Sequence, residues 1–309
     1  MLTFVLWCTS ALAGSGPWVV GNGQASLYLG AESQRITKLA ITVDGERDVI
    51  DVGQGISGFG VKAIGTLGIT NRVELEVGVP WFIVRSNRPD DALCGALGLQ
   101  ACATTQTVGV LTARGKALAV DEYFGAPLSL SLGGELRYGD FTAPTRARIT
   151  NAGEGTTDIG PYLALGRVGS FGGKGTHSGF LEAGWRYRFP TTRAFPDAPT
   201  GERPAPLPET WVTAEWTAGP STRFSVGPLF TMLYRDGLDW GELTLTDPDR
   251  FAALRVFSAR VGGSVVVHND GDLALVASVL QAVATRNNPN ALSVNVGVSF
   301  AGLAPTKQR

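Results

Sequence analysis

The chain has 309 residues, a net charge of -1 and 44% hydrophobic residues, while only 17% of its residues are charged. A near-neutral chain with no clustered basic stretch excludes nucleic acid as a partner. The length suffices for one large all-β domain, and no segment approaches the roughly 18 consecutive apolar residues that a membrane-spanning helix needs.

Residues 1–13 form the first predicted element, a cleaved signal peptide. Leu2 to Ala13 is an apolar run that is too short to cross a bilayer as a helix. The run ends in Ala-Leu-Ala, a pattern at which signal peptides are cleaved, so we expect the mature chain to start at Gly14. The usual Lys or Arg before the run is missing. A buried N-terminal strand is the alternative interpretation.

Segments of alternating apolar and polar residues follow, and they predict about twelve β-strands. Gly, Pro, Asn and Asp bound most of these segments, and amphipathic helical patterns are scarce. In the last segment, ALSVNVGVSF at 291–300, every second residue from Leu292 to Phe300 is apolar. The predicted strands lie near 23–32, 55–68, 72–85, 107–119, 127–140, 156–168, 178–189, 209–217, 221–236, 252–267, 272–285 and 291–301.

The connections between these strands alternate between long and short, beginning with a long polar stretch at 33–53 and a tight turn at 70–71. An outer-membrane barrel has this pattern, with long extracellular loops and short periplasmic turns. A secreted β-sandwich, the alternative fold, has no reason to sort its connections in this way. The sequence therefore predicts an all-β, closed, antiparallel, up-and-down transmembrane barrel over 14–301, followed by a periplasmic tail at 302–309. Since no sheet edge can remain unpaired in hydrocarbon, we expect the last strand to pair with the first.

Each predicted strand has one apolar face, which we assign to lipid, and one small or charged face, which we assign to the lumen. Charges of both signs are then expected to line the lumen, where they would set solute preference or form a salt-bridged plug. The predicted lumen residues are Lys62, Glu74, Glu76, Arg114, Lys116, Glu135, Arg137, Glu182, Arg186, Arg188 and Arg260. Aromatic residues at strand ends predict belts at headgroup depth, formed by Trp81, Phe82, Tyr138, Tyr187, Phe189, Trp211, Tyr234, Phe251 and Phe300.

Cys94 and Cys102 bound a short loop and are candidates for a disulfide in an oxidising compartment, two unrelated thiols being the alternative. Two cysteines without a nearby histidine are too few for a metal site. The stretch GSFGGKGT is not a phosphate loop, because Gly175 follows Lys174 where Ser or Thr is required. We therefore predict no cofactor and no metal. His177 and His268 fall in predicted periplasmic turns without a catalytic spacing, so we predict that the protein is not an enzyme.

Four stretches carry a resemblance to known proteins: GNGQASLYLG at 21–30, LGITNRVELEVGVPW at 67–81, GTTDIGPYLALG at 155–166 and ALSVNVGVSF at 291–300. With them the sequence resembles Gram-negative outer-membrane β-barrels and, more narrowly, the outer-membrane transporter family named for the meta-pathway of phenol degradation. The resemblance implies a channel or uptake role for small molecules, hydrophobic ones included. One departure is that Phe300 is followed by AGLAPTKQR, whereas many such barrels end on an aromatic residue.

The resulting hypothesis is an outer-membrane pore or transporter through which small solutes, including hydrophobic or aromatic compounds, diffuse passively. A structural or surface-interaction barrel with an occluded lumen is the first alternative, and an outer-membrane lipid-modifying enzyme is the second. The expected partners are membrane lipids and lipopolysaccharide, a small solute, and the barrel-assembly machinery during biogenesis.

Overall fold

Antiparallel β-strands account for most of the computed structural model, which describes residues 15–86, 104–139, 156–171, 175–189, 207–221, 223–243, 253–269 and 272–301. Two short 3-10 helices, Glu122–Phe124 and Trp240–Glu242, lie between strands. The strands are β1 (Ala25–Val43), β2 (Glu46–Thr70), β3 (Val73–Ser86), β4 (Thr105–Val108), β5 (Leu111–Val120), β6 (Ser129–Tyr138), β7 (Thr157–Phe171), β8 (Gly175–Phe189), β9 (Glu209–Ser221), β10 (Phe224–Arg235), β11 (Val256–His268), β12 (Leu273–Arg286) and β13 (Asn288–Phe300).

The sheet closes on itself because β1 pairs with both β2 and β13. Leu27 lies opposite Phe300 on one side and opposite Gly65 on the other. The short β4 and the following β5 both pair with β3, at different heights, and together form one strand of the barrel wall. The ring therefore has twelve strand positions. The predicted fold, including the pairing of the last strand with the first, is confirmed.

The first two strands are longer than the sequence predicted, and the prediction of a long polar loop at 33–53 is wrong. β1 and β2 continue through this stretch and meet at a two-residue turn, Asp44–Gly45, with φ angles of 50° and 82°. Positive φ at both positions is typical of the Asp-Gly hairpin turn. The polar residues were misleading because Gln34 and Thr42 point to the inner face, where each is 2% exposed.

Burial alternates along the strands and separates an apolar outer face from a polar inner face. On β3, Leu75 and Val77 are 51% and 55% exposed, while Glu74 and Glu76 are 2% and 5% exposed. In a barrel made of one closed sheet, the buried face is the interior. The exposed face thus forms an apolar band around the barrel, as a protein that spans an outer membrane requires.

The aromatic residues at the strand ends divide between the two faces. Trp81 and Phe300 are half-buried on the outer face of their strands, and Tyr138, Tyr187, Phe189 and Tyr234 are 40–45% exposed there. Phe251 lies outside the described residues.

Phe82 and Trp211 do not belong to the outer belt, and the prediction for these two is wrong. They are 2% and 5% exposed and point into the barrel, because strand alternation turns each away from its outward neighbour. Phe82 covers Gly60, at which a Cβ would come within 2.4 Å of its ring. Trp211 covers Gly184 in the same way, at 2.6 Å. Each ring occupies space that its glycine leaves free.

The sequence predicted that both histidines lie in turns, and the structure places both in strands. His177 lies within β8, paired with Gly169 of β7, and His268 is the last residue of β11. Within the described residues, helices long and apolar enough to cross a membrane were not found.

Substitution of Val294 by lysine tests the lipid-facing surface. Val294 lies at the middle of β13 and is 40% exposed on the outer face, so the charge would sit near the bilayer midplane. We expect the free energy of unfolding, measured by denaturant titration in liposomes, to fall by about 2–4 kcal/mol.

The matched control is Val43→Lys at the tip of the β1–β2 hairpin, where a cost of about 0–1 kcal/mol is expected. Equal costs at the two positions would contradict the placement of the membrane across β13.

Candidate functional site: the barrel interior

The inner face of β3 and β5–β9 carries a continuous set of charged side chains, which we call the charged wall. Its members lie on adjacent strands in register, so opposite charges face each other directly across strand boundaries. The in-register pairs are Glu74 with Lys116, Glu76 with Arg114, Arg114 with Glu135, Arg137 with Asp158, Asp158 with Arg188, and Arg186 with Glu209.

Short ion pairs connect these residues along the wall. Lys116 Nζ lies 2.9 Å from Glu74 Oε1, and Arg114 Nη2 lies 3.1 Å from Glu182 Oε2. Glu135 accepts a hydrogen bond of 3.1 Å from Arg186 Nε. These side chains are less than 10% exposed, so each charge depends on its partners rather than on bulk water.

Further up the wall the chain of charges continues to β7 and β9. Arg137 Nη1 lies 3.3 Å from Asp158 Oδ2 and 3.4 Å from Glu209 Oε1. Arg186 also donates a hydrogen bond to Glu209. The aromatic residues that turned inward add to this arrangement, since Arg186 lies 5.2 Å from the centre of the Trp211 ring. The charged wall is therefore braced both by ion pairs and by cation–π contacts.

An N-terminal segment, Ser15–Val20, lies inside the barrel against the charged wall. The Gly16 N–H donates to Glu182 Oε1 at 3.0 Å, and Lys116 Nζ donates to the Gly16 carbonyl at 2.9 Å. The Val20 N–H donates to Glu74 Oε2 at 2.7 Å. The segment thus runs from mid-barrel, beside Glu182, down to the end at which β1 begins.

Other side chains confirm how closely the segment follows this wall. The Ser131 hydroxyl donates to the Pro17 carbonyl, and the Trp18 indole N–H donates to Glu122 Oε1 at 3.0 Å. A Cβ at Gly166 would lie 2.7 Å from the Pro17 ring. The sequence contained no signal for this segment, because a stretch without alternation carries no indication of which face it covers.

The remaining inner surface, on β10–β13 and β2, carries seven serines and threonines that are at most 6% exposed. We call this surface the serine wall. Its members are Thr66, Thr231, Ser258, Ser264, Ser278, Thr285 and Ser293.

Lys62 and Arg260 lie on or beside the serine wall, away from the other predicted lumen residues, and both are buried at 6% and 4% exposure. Lys62 Nζ lies 5.2 Å from the centre of the Tyr28 ring. All eleven predicted lumen side chains thus point inward. That they contact a passing solute stays a prediction.

Several inner-face acids were missed by the sequence reasoning. Glu32, Asp158, Glu209 and Glu215 are 3–6% exposed and share the inward alternation of their strands. Consistent application of the two-residue period would have identified them, because each lies an even number of positions from an inward-facing neighbour.

A cluster of charges closes the rim of the barrel where β10, β11 and β12 meet. Asp239 accepts from Arg286 Nη2 at 2.6 Å and Arg286 Nε at 3.1 Å. Arg255 bridges Asp239 to Asp236, at 3.4 and 3.0 Å. The Gly237 backbone N–H and the Arg255 guanidinium hold the pKa of Asp236 below its ordinary value. These contacts tie the segment after β10 to the top of β12.

Some predicted features lie outside the described residues, namely the signal peptide at 1–13, the disulfide candidates Cys94 and Cys102, and the tail at 302–309. They stay predictions. Among the residues that are described, there is no group of three or more His, Cys, Asp or Glu side chains placed to hold a metal ion.

Comparison with solved structures identifies the fold. The chain is similar to the COG4313 outer membrane channel from Pseudomonas putida F1, with a TM-score of 0.59 and 15% identity over 94% of this chain and 98% of that one. It is also similar to the NanC porin (8% identity, TM-score 0.46) and the KdgM porin (12%, 0.43), each over 89% of this chain and 98% of the other. The sequence matches no family model and no curated protein.

Substitution of Glu135 by glutamine tests whether the charged wall stabilises the barrel. Glu135 contacts Arg114, Arg137 and Arg186 within 4 Å, so its neutralisation removes one of the counter-charges of each of three buried guanidinium groups. Because each arginine keeps another acid partner, we expect the free energy of unfolding to fall by about 1–3 kcal/mol.

The control is Glu46→Gln, an exposed acid at the start of β2, for which we expect a change within about 0.5 kcal/mol. A Glu135→Gln barrel as stable as the wild type would show that the ion pairs contribute no net stability.

Proposed function

We propose that the protein is an outer-membrane channel through which small solutes, hydrophobic and aromatic compounds included, diffuse passively. The observation that carries this proposal is the opposite character of the two faces of one closed sheet. The outer face is apolar and suits lipid, whereas the inner face is polar and charged and suits water and solutes. A barrel with this organisation separates a polar interior from the membrane around it.

Apolar contacts are also spaced along the interior, which supports solutes with an apolar part. Tyr28, Ile64 and Val266 belong to a buried cluster near the end at which β1 begins. Leu229 and Leu280 pack together at mid-barrel. Tyr162, Trp211, Leu233, Leu254 and Val256 form a third cluster nearer the other end. An apolar solute could exchange one such contact for the next, and the resemblance of the sequence to a transporter family supports the same solute class.

This function implies the Gram-negative outer membrane as the location, after export by the signal peptide at 1–13. Lipids and lipopolysaccharide would contact the outer face, and the barrel-assembly machinery would insert the chain. A role as an enzyme has less support, because most charged side chains of the described interior are engaged in ion pairs with one another.

The N-terminal segment favours a second candidate function, a structural barrel with an occluded lumen. Ser15–Val20 occupies part of the interior and is anchored by Glu74, Lys116 and Glu182. If this segment fills the cross-section permanently, the barrel conducts nothing.

Planar-bilayer recordings on refolded protein test the channel. We expect discrete conductance steps in potassium chloride, and a reduced current when small aromatic solutes are added, because they occupy the same lumen. A protein that inserts but stays silent at all voltages and salt concentrations would favour the occluded barrel.

Deletion of Ser15–Val20 tests whether the segment restricts the lumen. We expect a larger single-channel conductance, since the deletion removes main chain from the interior. Unchanged heat-modifiable migration on gels provides the control that the barrel itself still forms. A conductance equal to that of the full chain would show that the segment does not limit the current.

A further inference from the structure

We infer that solutes cross the barrel along the serine wall, with Glu215 as the side chain that sets the charge preference of this route, while the charged wall serves to brace the barrel and anchor the N-terminal segment. The inference rests on the proposed channel function, and it gives the charged wall and the serine wall of the barrel different roles.

The first observation is a set of buried polar atoms on or next to the serine wall that have no hydrogen-bond partner in the described part of the chain. Buried polar atoms are otherwise almost always paired, with protein or with water. In a barrel interior, water or a solute is the available partner. The atoms are Glu32 Oε2, Thr66 Oγ1, Glu215 Oε2, Ser258 Oγ, Arg260 Nη1, Thr285 Oγ1 and Ser293 Oγ.

These atoms are distributed along the barrel axis rather than gathered at one depth. Thr66 lies near the end of β2, Ser293 and Glu215 lie at the middle of their strands, and Ser258 and Thr285 lie near the opposite end. They therefore occur at several depths of the interior, from near one opening to near the other.

The charged wall differs, because its polar atoms already have counter-charges. Arg114 Nε, Asp158 Oδ1 and the Nε and Nη1 atoms of Arg188 also lack a hydrogen bond. Each of these groups nevertheless has a counter-charge, since Arg114 Nε lies 3.9 Å from Glu135 Oε2 and Arg188 Nε lies 3.6 Å from Asp158 Oδ1. A solute passing along the charged wall would have to displace an ion pair. A solute on the serine wall would instead provide the hydrogen bond that a buried polar atom lacks.

The N-terminal segment lies mainly on the charged wall, and only its end reaches β2, where the Val20 carbonyl occupies the space that a Cβ at Gly68 would need. It forms hydrogen bonds with Glu74, Lys116, Ser131, Glu182 and, at the turn after β5, Glu122. None of these residues belongs to the serine wall. The segment thus occupies one side of the interior and displaces a solute towards the other.

Glu215 is the exceptional charge at the border of the serine wall. It is 6% exposed and accepts a hydrogen bond from the Ser264 hydroxyl, and its cross-strand neighbours are Phe180 and Leu229. Among the described residues no Lys or Arg forms an ion pair with it, in contrast to the acids of the charged wall. Its second oxygen remains available as an acceptor.

The ligand chemistry follows from these neighbours. An unpaired carboxylate oxygen requires a hydrogen-bond donor, and an ammonium or hydroxyl group provides one. Leu229, which packs on Leu280, offers an apolar contact at the same depth. The solute class is therefore a small molecule with a donor group on an apolar body, and cations should be preferred to anions.

Reversal potentials in a potassium chloride gradient test the role of Glu215. We expect Glu215→Gln to lower the cation-over-anion permeability ratio by up to about 25-fold, because one unit charge about 4 Å away in water favours a cation and disfavours an anion by about five-fold each. Glu135→Gln, a matched change on the charged wall, should lower stability with a smaller effect on permeability. An effect on the ratio that is larger for Glu135→Gln than for Glu215→Gln would overturn the inference.

Two serine-to-cysteine variants test the route without removing a charge. Ser293 lies on the serine wall, whereas Ser131 lies beneath Pro17 of the N-terminal segment. In a background with Cys94 and Cys102 replaced by serine, a small charged methanethiosulfonate should block the current of Ser293→Cys and leave that of Ser131→Cys unchanged. Block of Ser131→Cys alone would place the route on the charged wall.

The two proposals fail in distinguishable ways. If neither the full chain nor the chain lacking Ser15–Val20 conducts, the channel function itself is wrong. If the protein conducts but its selectivity and block follow Glu135 and Ser131, the channel stands and only the assignment of the route is wrong.

Discussion

The structure depends on one constraint, that hydrocarbon offers no hydrogen bonds to a polypeptide backbone. The sheet must consequently close, and it does so where β1 meets β13, from Leu27 opposite Phe300 to Ala40 opposite Asn288. Closure gives every strand a defined inside and outside. Because side chains alternate along a strand, Leu75 and Val77 then face lipid, and Glu74 and Glu76 face the lumen.

Closure also fixes the strand register, and the register converts scattered charges into pairs. Glu74 lies opposite Lys116, and Arg137 lies opposite Asp158, because the register of their strands places them at the same height. A shift of one residue would turn these charges towards lipid. The inner charges therefore disfavour misaligned barrels as well as stabilising the correct one, and the N-terminal segment uses the same carboxylates as anchors.

Much of this organisation was predictable, since the two-residue period located all twelve strand positions and the need to leave no unpaired edge located the closing pair. Period alone could not show that the polar stretch around Gln34 continues β1, because polar residues suit an inner face as well as a loop. Position at a strand end did not distinguish outward Tyr187 from inward Trp211, although the two-residue period does so, and Gly184 on the next strand leaves the space that the Trp211 ring fills. The placement of Ser15–Val20 depends on contacts with residues 54 to 166 positions away, which no local pattern records.

The anchoring of that segment has a consequence for the order of folding. Its contacts include β8, and the barrel that encloses it is complete only when β13 has joined β1, across more than 250 residues of sequence. Contacts between such distant parts of a chain form late. The first residues of this structure to be synthesised are thus among the last to reach their final position, and until then Glu74, Lys116 and Glu182 lack the partners that the segment provides.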